Sequence, residues 1–134
     1  MVRQGFSIGK RDWYVMVYYD VADGADLYDV YEALVASGCP RESADKACDV
    51  LSGLNHGYTY TNYKDHLSLL FISRASSAEQ MFDSIVHELK HLVEHISSYY
   101  GVDPKEELSA YLQGEVGRLM FPAASLVLCP NCEH

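Results

Sequence analysis

Residues 77–101 read SAEQMFDSIVHELKHLVEHISSYYG, and this stretch predicts the helix around which the fold is built. Its apolar residues recur every three or four positions, which places them on one side of an α-helix. Ser77 followed by Gln80 fits a capping box at the start, and Gly101 marks the end. We therefore expect a helix of about five turns with a broad apolar stripe. The stripe consists of Met81, Phe82, Ile85, Val86, Leu89, Leu92, Val93 and Ile96.

Three strands and two helices are predicted on the N-terminal side of this helix. Aromatic and β-branched residues indicate a strand at residues 13–19, WYVMVYY. Apolar residues at helical spacing then indicate helices at 26–36 and at about 41–52. Residues 58–62 (YTYTN) and 66–73 (HLSLLFIS) are separated by a short turn, which predicts a β-hairpin.

A further helix is predicted after the long one. Asp103 is the expected N-cap and Pro104 the first helical residue, and the helix should run to about Phe121. The order β-α-α-β-β-α-α makes this a mixed α+β protein. A chain of 134 residues suits a single domain. We expect its core at about residues 13–121 and a tail at 122–134.

Composition limits the classes of partner. The formal net charge of −9 argues against binding to nucleic acid or to anionic membranes, because both depend on Lys and Arg. No apolar run approaches the roughly 20 residues that a membrane span requires. The chain has four cysteines and no recognisable export signal, so we expect reduced thiols and a cytoplasmic location. The sequence does not indicate the oligomeric state.

Residues 87–91 read HELKH and carry the chemistry that stands out in this chain. His87 and His91 are four residues apart, so their side chains leave the same side of a helix. This spacing allows two imidazoles to ligate one Zn²⁺ ion. Glu88 lies about 100° further around the helix, where it can act as a general base without ligating the metal. The alternative interpretation is an exposed polar helix face that binds no metal.

A catalytic zinc site has three protein ligands, and two glutamates compete for the third position. His95 is eight residues after His87, about 12 Å of helix rise, so the three histidines cannot meet at one ion. The next helix offers Glu106 and Glu107. Glu106 would be the third helical residue and has a capping role there. We therefore favour Glu107, which shares its helix face with small residues that allow close approach.

The HELKH motif and the stretch Glu107-Leu108-Ser109-Ala110 resemble the HExxH and ExxA motifs of gluzincin metallopeptidases, a branch of the zincins. The layout is similar to small gluzincin-like domains of bacteria and phages over about residues 58–119. The resemblance implies a small zincin-like α+β domain, in which a short antiparallel or mixed sheet packs on the HExxH helix and on the following Glu-bearing helix. It also implies a zinc-dependent hydrolase, specifically a peptidase. Its implied zinc ligands are His87, His91 and Glu107, with Glu88 as general base and proton shuttle.

The resemblance further implies a place for the substrate. Strand 66–73 would lie along the cleft as an edge strand and pair with an extended peptide or protein substrate. Tyr111 is the favoured candidate for stabilising the oxyanion. Other candidates for that role are His95, Tyr99 and Tyr100.

Two further hypotheses stay open. In the first, the zincin fold binds metal without catalysis and serves as a regulatory or accessory protein. In the second, no metal binds, and the His and Glu residues only form hydrogen bonds. Cys129 and Cys132 form a CxxC pair near the chain end, which we interpret as part of the tail rather than as a second metal site.

Overall fold

Four strands form one mixed sheet in the computed structural model, which describes residues 1–9, 12–103 and 105–129. They are β1 (Val2–Ile8), β2 (Trp13–Val21), β3 (Gly57–Asn62) and β4 (Leu67–Ser73), in the order β1-β2-β4-β3. β2 and β4 are parallel, whereas β1 pairs with β2 and β3 pairs with β4 in antiparallel fashion. The predicted hairpin of β3 and β4 is confirmed.

Strand β1 is an element that the sequence pattern does not predict. Only Val2, Phe6 and Ile8 of its seven residues, VRQGFSI, are aromatic or β-branched, and polar residues and Gly5 separate them, so the local signal for a strand is weak. Pairing with β2 along the whole of β1 overrides this weak local preference. Gly5 also makes room for a neighbour, because a Cβ at position 5 would collide with the hydroxyl of Tyr14.

Helices cover both faces of the sheet and give a three-layer α+β arrangement. α1 (Ala25–Ala36) and α2 (Arg41–Leu51) pack on one face, and α3 (Ala78–Tyr99) and α4 (Glu107–Leu128) pack on the other. A hydrophobic core lies on each face of the sheet, and alternate residues of the strands contribute to one core or the other, as expected for a pleated sheet. Val15, Val17, Tyr19, Leu70 and Ile72 face α3 and α4, whereas Tyr18, Leu69 and Phe71 face α1 and α2.

Helix α3 forms as its sequence predicts. The Ser77 side chain caps its start by accepting a hydrogen bond of 3.1 Å from the backbone N–H of Gln80. Most of the apolar stripe is buried against the sheet and α4, but Phe82 and Val86 are exposed. The stripe is thus wider than the surface that its neighbours cover.

Helix α4 begins later than predicted. Its N-cap is Glu106 and its first residue is Glu107, so Asp103 is not the cap. Asp103 instead forms a turn before the helix, in which its carboxylate accepts from the N–H of Lys105 and its carbonyl from the N–H of Glu106. The Asp103 carboxylate, which the sequence pattern predicts to cap the helix, therefore accepts its hydrogen bond within this turn. Pro104 lies outside the described residues.

Helix α4 also ends later than predicted, at Leu128, with Pro122 inside it. A proline inside a helix removes one hydrogen bond and costs about 3 kcal/mol. Burial of Ala123, Ala124 and Val127 beyond it offsets that cost. The predicted tail at 122–134 is therefore wrong for residues 122–128. Residues 130–134, which include one cysteine of the CxxC pair, lie outside the described part of the chain.

Strand β4 is not an edge strand, and this corrects the expectation for residues 66–73. It lies between β2 and β3 and pairs with both of them, so no substrate backbone can pair with it. Six of its seven residues are buried, which is typical of an interior strand. The sheet edge beside α3 is β3 instead.

Candidate metal centre

His87 and His91 lie one turn apart in the middle of α3 and their rings approach each other. Their Nε2 atoms are 3.1 Å apart, and the rings are nearly perpendicular, with centroids 4.7 Å apart. Two nitrogen ligands of a tetrahedral zinc ion, each about 2.0–2.1 Å from the metal, are about 3.3 Å apart. The two imidazoles therefore fit a single metal ion with very little adjustment.

Glu88 is buried between α3 and the sheet edge, with its carboxylate beside the histidines. Its side chain is 5% exposed, and its Oε2 lies 4.0 Å from His87 Nε2. Its Oε1 accepts a 2.9 Å hydrogen bond from the Thr59 hydroxyl of β3. Burial raises the pKa of the Glu88 carboxyl above its usual range, while the Thr59 hydrogen bond and the charges of His91 and His87 act in the opposite direction. A raised pKa suits a group that accepts a proton near neutral pH.

The two histidines and Glu88 together make a group that could hold a metal ion. Their ligand atoms all lie within 4.8 Å of one another. Imidazole nitrogen and carboxylate oxygen are donors that Zn²⁺ accepts, although other divalent transition metals take the same set. The donor set therefore fits a divalent transition metal.

Helix α4 packs antiparallel to α3, with two close contacts that define their relative position. The Ser97 and Ser109 hydroxyl oxygens are 2.7 Å apart and buried. Further along, a Cβ at position 117 would lie 3.9 Å from Leu89 Cδ2, so the missing side chain of Gly117 allows the helices to approach. These contacts place the start of α4 beside the end of α3.

This packing keeps Glu107 away from the histidine pair. Glu107 is the exposed first residue of α4 and lies roughly eight residues, or about 12 Å, beyond His91 along α3. In addition, α4 packs on the face of α3 that points away from His87. Leu89 faces α4, and it lies about 200° around the helix from His87. Glu107 does not belong to the group of close ligand atoms.

The other site residues predicted on α4 also lie on the helix that packs against the opposite side of α3 from the histidines. Glu106 is the exposed N-cap, and Tyr111 is 69% exposed on a helix that packs against the other side of α3. The predictions of Glu107 as third ligand and Tyr111 as oxyanion stabiliser do not match this arrangement. The physical reason is that the apolar face of α3 positions α4, and the histidines are not on that face.

His95 and Tyr99 have other partners. His95 is half-buried, and its Nδ1 lies 2.8 Å from the Thr61 hydroxyl of β3. The hydroxyl of Tyr99 lies 2.9 Å from His66 Nε2, and its ring packs edge-on against buried Trp13. Tyr100 belongs to the same aromatic cluster. These contacts give all three residues a structural role at the far end of α3.

Sequence reasoning missed the contribution of β3 and of the loop before it. Gly57 and Thr59 contact Glu88 directly, and a pocket of about 230 Å³ opens beside it. The pocket is lined by Asn55, His56, Gly57, Asp83, Ser84, His87 and Glu88. The alternation Gly-x-Thr-x-Thr on one face of β3 is a weak signal for such contacts, because it becomes informative only when the position of β3 over α3 is known.

Within residues 1–9, 12–103 and 105–129, none of the helices is both long and apolar enough to cross a lipid bilayer. Comparison with protein-family models, curated proteins and solved structures finds no match for this chain. The structure shows only that His87, Glu88 and His91 are close enough together to bind one metal ion.

Proposed function

We propose that this protein is a metal-dependent hydrolase that binds zinc through His87 and His91 and cleaves peptide bonds. The observation that carries the proposal is the buried carboxylate of Glu88, 4.0 Å from one of two ring nitrogens that are themselves 3.1 Å apart. Two histidines alone would suit a structural ion. A buried carboxylate beside them costs folding free energy and has a clear use in proton transfer.

Each residue of the group has a distinct role in this proposal. A bound zinc ion would supply the Lewis acidity that activates water for attack on a carbonyl group. His87 and His91 hold the ion, and Glu88 accepts the proton of the attacking water and returns it to the leaving amine. The polar pocket beside Glu88 gives space for the substrate next to the scissile bond.

The substrate in this proposal is an extended peptide that runs along β3. β3 is terminal in the sheet and packs beside α3, so its outer edge is the backbone edge closest to the histidines among the described strands. Backbone hydrogen bonds to such an edge can hold a peptide without strong dependence on its sequence. The peptide therefore takes β3 as its strand in place of residues 66–73. The cytoplasmic location stays a prediction.

A second candidate function is metal binding without catalysis, as in a regulatory or accessory protein. A catalytic zinc ion has three protein ligands, but α4 contributes none to this group. If Glu88 itself is the third ligand, it is no longer available as a base. The absence of Glu107 from the group is the observation that favours this candidate.

Peptide cleavage by the zinc-loaded protein separates the two candidates. The hydrolase proposal predicts cleavage of a peptide library, with a loss of about a hundredfold or more in Glu88→Gln because that substitution removes the base. Glu79→Gln, which alters an exposed carboxylate in the first turn of α3, is the matched control. Zinc binding without cleavage, or cleavage that Glu88→Gln leaves unchanged, would overturn the hydrolase proposal and support the second candidate.

A further inference from the structure

We infer that Gly57 and Thr59 of β3 are positioning residues for Glu88. Gly57 supplies the space that the carboxylate occupies, and Thr59 holds one carboxylate oxygen so that the other faces the histidine pair. The inference rests on the proposed function, since it gives β3 a part in presenting the general base.

Gly57 leaves room that any other residue would fill. A Cβ at position 57 would lie 2.5 Å from Cγ, 2.6 Å from Cδ and 2.7 Å from Oε2 of Glu88. Gly57 is not among the glycines with positive φ, so its backbone conformation is open to other residues. The requirement for glycine here therefore comes from contact with Glu88 and not from backbone strain.

Thr59 fixes the orientation of the carboxylate. Its hydroxyl donates to Oε1 at 2.9 Å, while Oε2 is the oxygen that lies 4.0 Å from His87 Nε2. Rotation of the carboxylate would break the bond to Thr59. Because Thr59 is two residues after Gly57, both face α3 from the same side of the strand. One strand thus provides both the space and the hydrogen bond.

Because Glu88 is buried, the hydrogen bond from Thr59 strongly influences the position of its carboxylate. A buried carboxylate without a donor pays the full cost of desolvation. Without the Thr59 hydroxyl, the side chain of Glu88 would gain by turning towards the pocket or towards the metal. Either movement takes Oε2 away from the place where a base is needed. We therefore expect loss of this hydroxyl to reduce turnover more than substrate binding.

The first test compares Thr59→Val with Thr59→Ser in the zinc-loaded protein. Valine keeps the shape of threonine without the hydroxyl, and serine keeps the hydroxyl. Thr59→Val should lower kcat about tenfold or more with KM within about twofold, whereas Thr59→Ser should stay within about threefold of wild type. In a Glu88→Gln background, Thr59→Val should cause no further loss of kcat. Thr59→Ala serves if the valine variant does not fold.

Thr61→Val is the matched control. Thr61 lies on the same face of β3, two residues further on, and its hydroxyl contacts His95 and Ser68 instead of Glu88. This control should lose stability without a selective loss of kcat. Likewise, Gly57→Ala should reduce kcat, whereas Gly114→Ala should not, because a Cβ at position 114 meets nothing within 4 Å.

A crystal structure of Thr59→Val decides the inference independently of activity. The expected result is a displaced carboxylate, with Oε2 moved by more than about 1 Å relative to His87 Nε2. An unchanged carboxylate would overturn the inference even if the protein cleaves no peptide. If Glu88→Gln abolishes cleavage while Thr59→Val keeps the wild-type kcat, the inference fails and the hydrolase proposal stands. If the protein cleaves no peptide but the Glu88 carboxylate moves in Thr59→Val, the hydrolase proposal fails and the inference about Thr59 stands.

Discussion

The hydroxyl oxygens of Ser97 in α3 and Ser109 in α4 lie 2.7 Å apart, and both residues are buried. Ser109 also donates to the carbonyl of Asp103 in the preceding turn, so Ser97 is the donor between the two serines. This contact anchors the start of α4 beside the end of α3. It thereby keeps the exposed carboxylate of Glu107 far from the histidines.

Ser97→Ala should destabilise the protein without affecting metal binding. The substitution removes a buried hydrogen bond between α3 and α4, which is worth about 1–2 kcal/mol in the free energy of unfolding. Ser98→Ala is the control, because Ser98 is exposed. Urea unfolding of the metal-free proteins measures the difference. Equal stability of the two variants would mean that the serine pair does not anchor α4.

Glu107→Gln and Tyr111→Phe should leave zinc affinity within about twofold of wild type, because both side chains lie on the far side of α3. His87→Ala and His91→Ala should each lower it by about a hundredfold or more, since each removes a direct ligand. Competition with a chromophoric chelator measures these affinities. A loss of tenfold or more in Glu107→Gln would show that α4 rearranges to supply a ligand.

Glu88→Gln should stabilise the metal-free protein at neutral pH. Burial raises the folded-state pKa of Glu88, so the ionised carboxylate is less favourable in the folded than in the unfolded chain. Removing the charge should therefore raise the free energy of unfolding, by about 1 kcal/mol, as is common for residues kept for function. Glu94→Gln should have little effect. Destabilisation by Glu88→Gln would mean that Glu88 serves mainly to hold the fold together.

Protonation of His95 should lower the stability of the folded protein at mildly acidic pH. Burial, and to a lesser extent the charge of His91, lower the pKa of His95 below the usual 6.5, although Glu94 acts in the other direction. The unfolded chain then binds a proton more readily than the folded protein. Stability should be complete above about pH 6.5 and fall as the pH drops through the folded-state pKa.

Urea unfolding at pH values between about 7.5 and 5 measures this loss, with His95→Gln as the comparison. The variant should have a shallower pH dependence than wild type, because the other histidines titrate in both proteins. Identical slopes would contradict the effect of burial on His95.

Local signals in the sequence were sufficient for several elements. The cap at Ser77, the apolar periodicity of α3 and the spacing of His87 and His91 each depend on residues that are close along the chain. Such features correctly predict the helix and the closeness of the two histidine side chains. Likewise, the short turn between β3 and β4 predicts their hairpin.

Long-range packing determines what the sequence pattern could not predict. Strand β1 exists because β2 pairs with it, and β4 is interior because β2 pairs with it in parallel. The apolar stripe of α3 determines the side on which α4 packs, whereas the lengthwise offset that places Ser109 beside Ser97 depends on the packing of the two helices. The contact between Thr59 and Glu88 joins residues 29 positions apart, so it appears only after the sheet is assembled.

The zinc content of the purified protein shows whether His87 and His91 bind a metal ion. After zinc loading and removal of free metal, elemental analysis should find one equivalent in wild type and less than about a tenth in His87→Ala and His91→Ala. His66→Ala, which alters a histidine of the distant aromatic cluster, should retain the wild-type content. Wild-type protein without bound zinc, or equal zinc content in all four proteins, would contradict a metal site at His87 and His91.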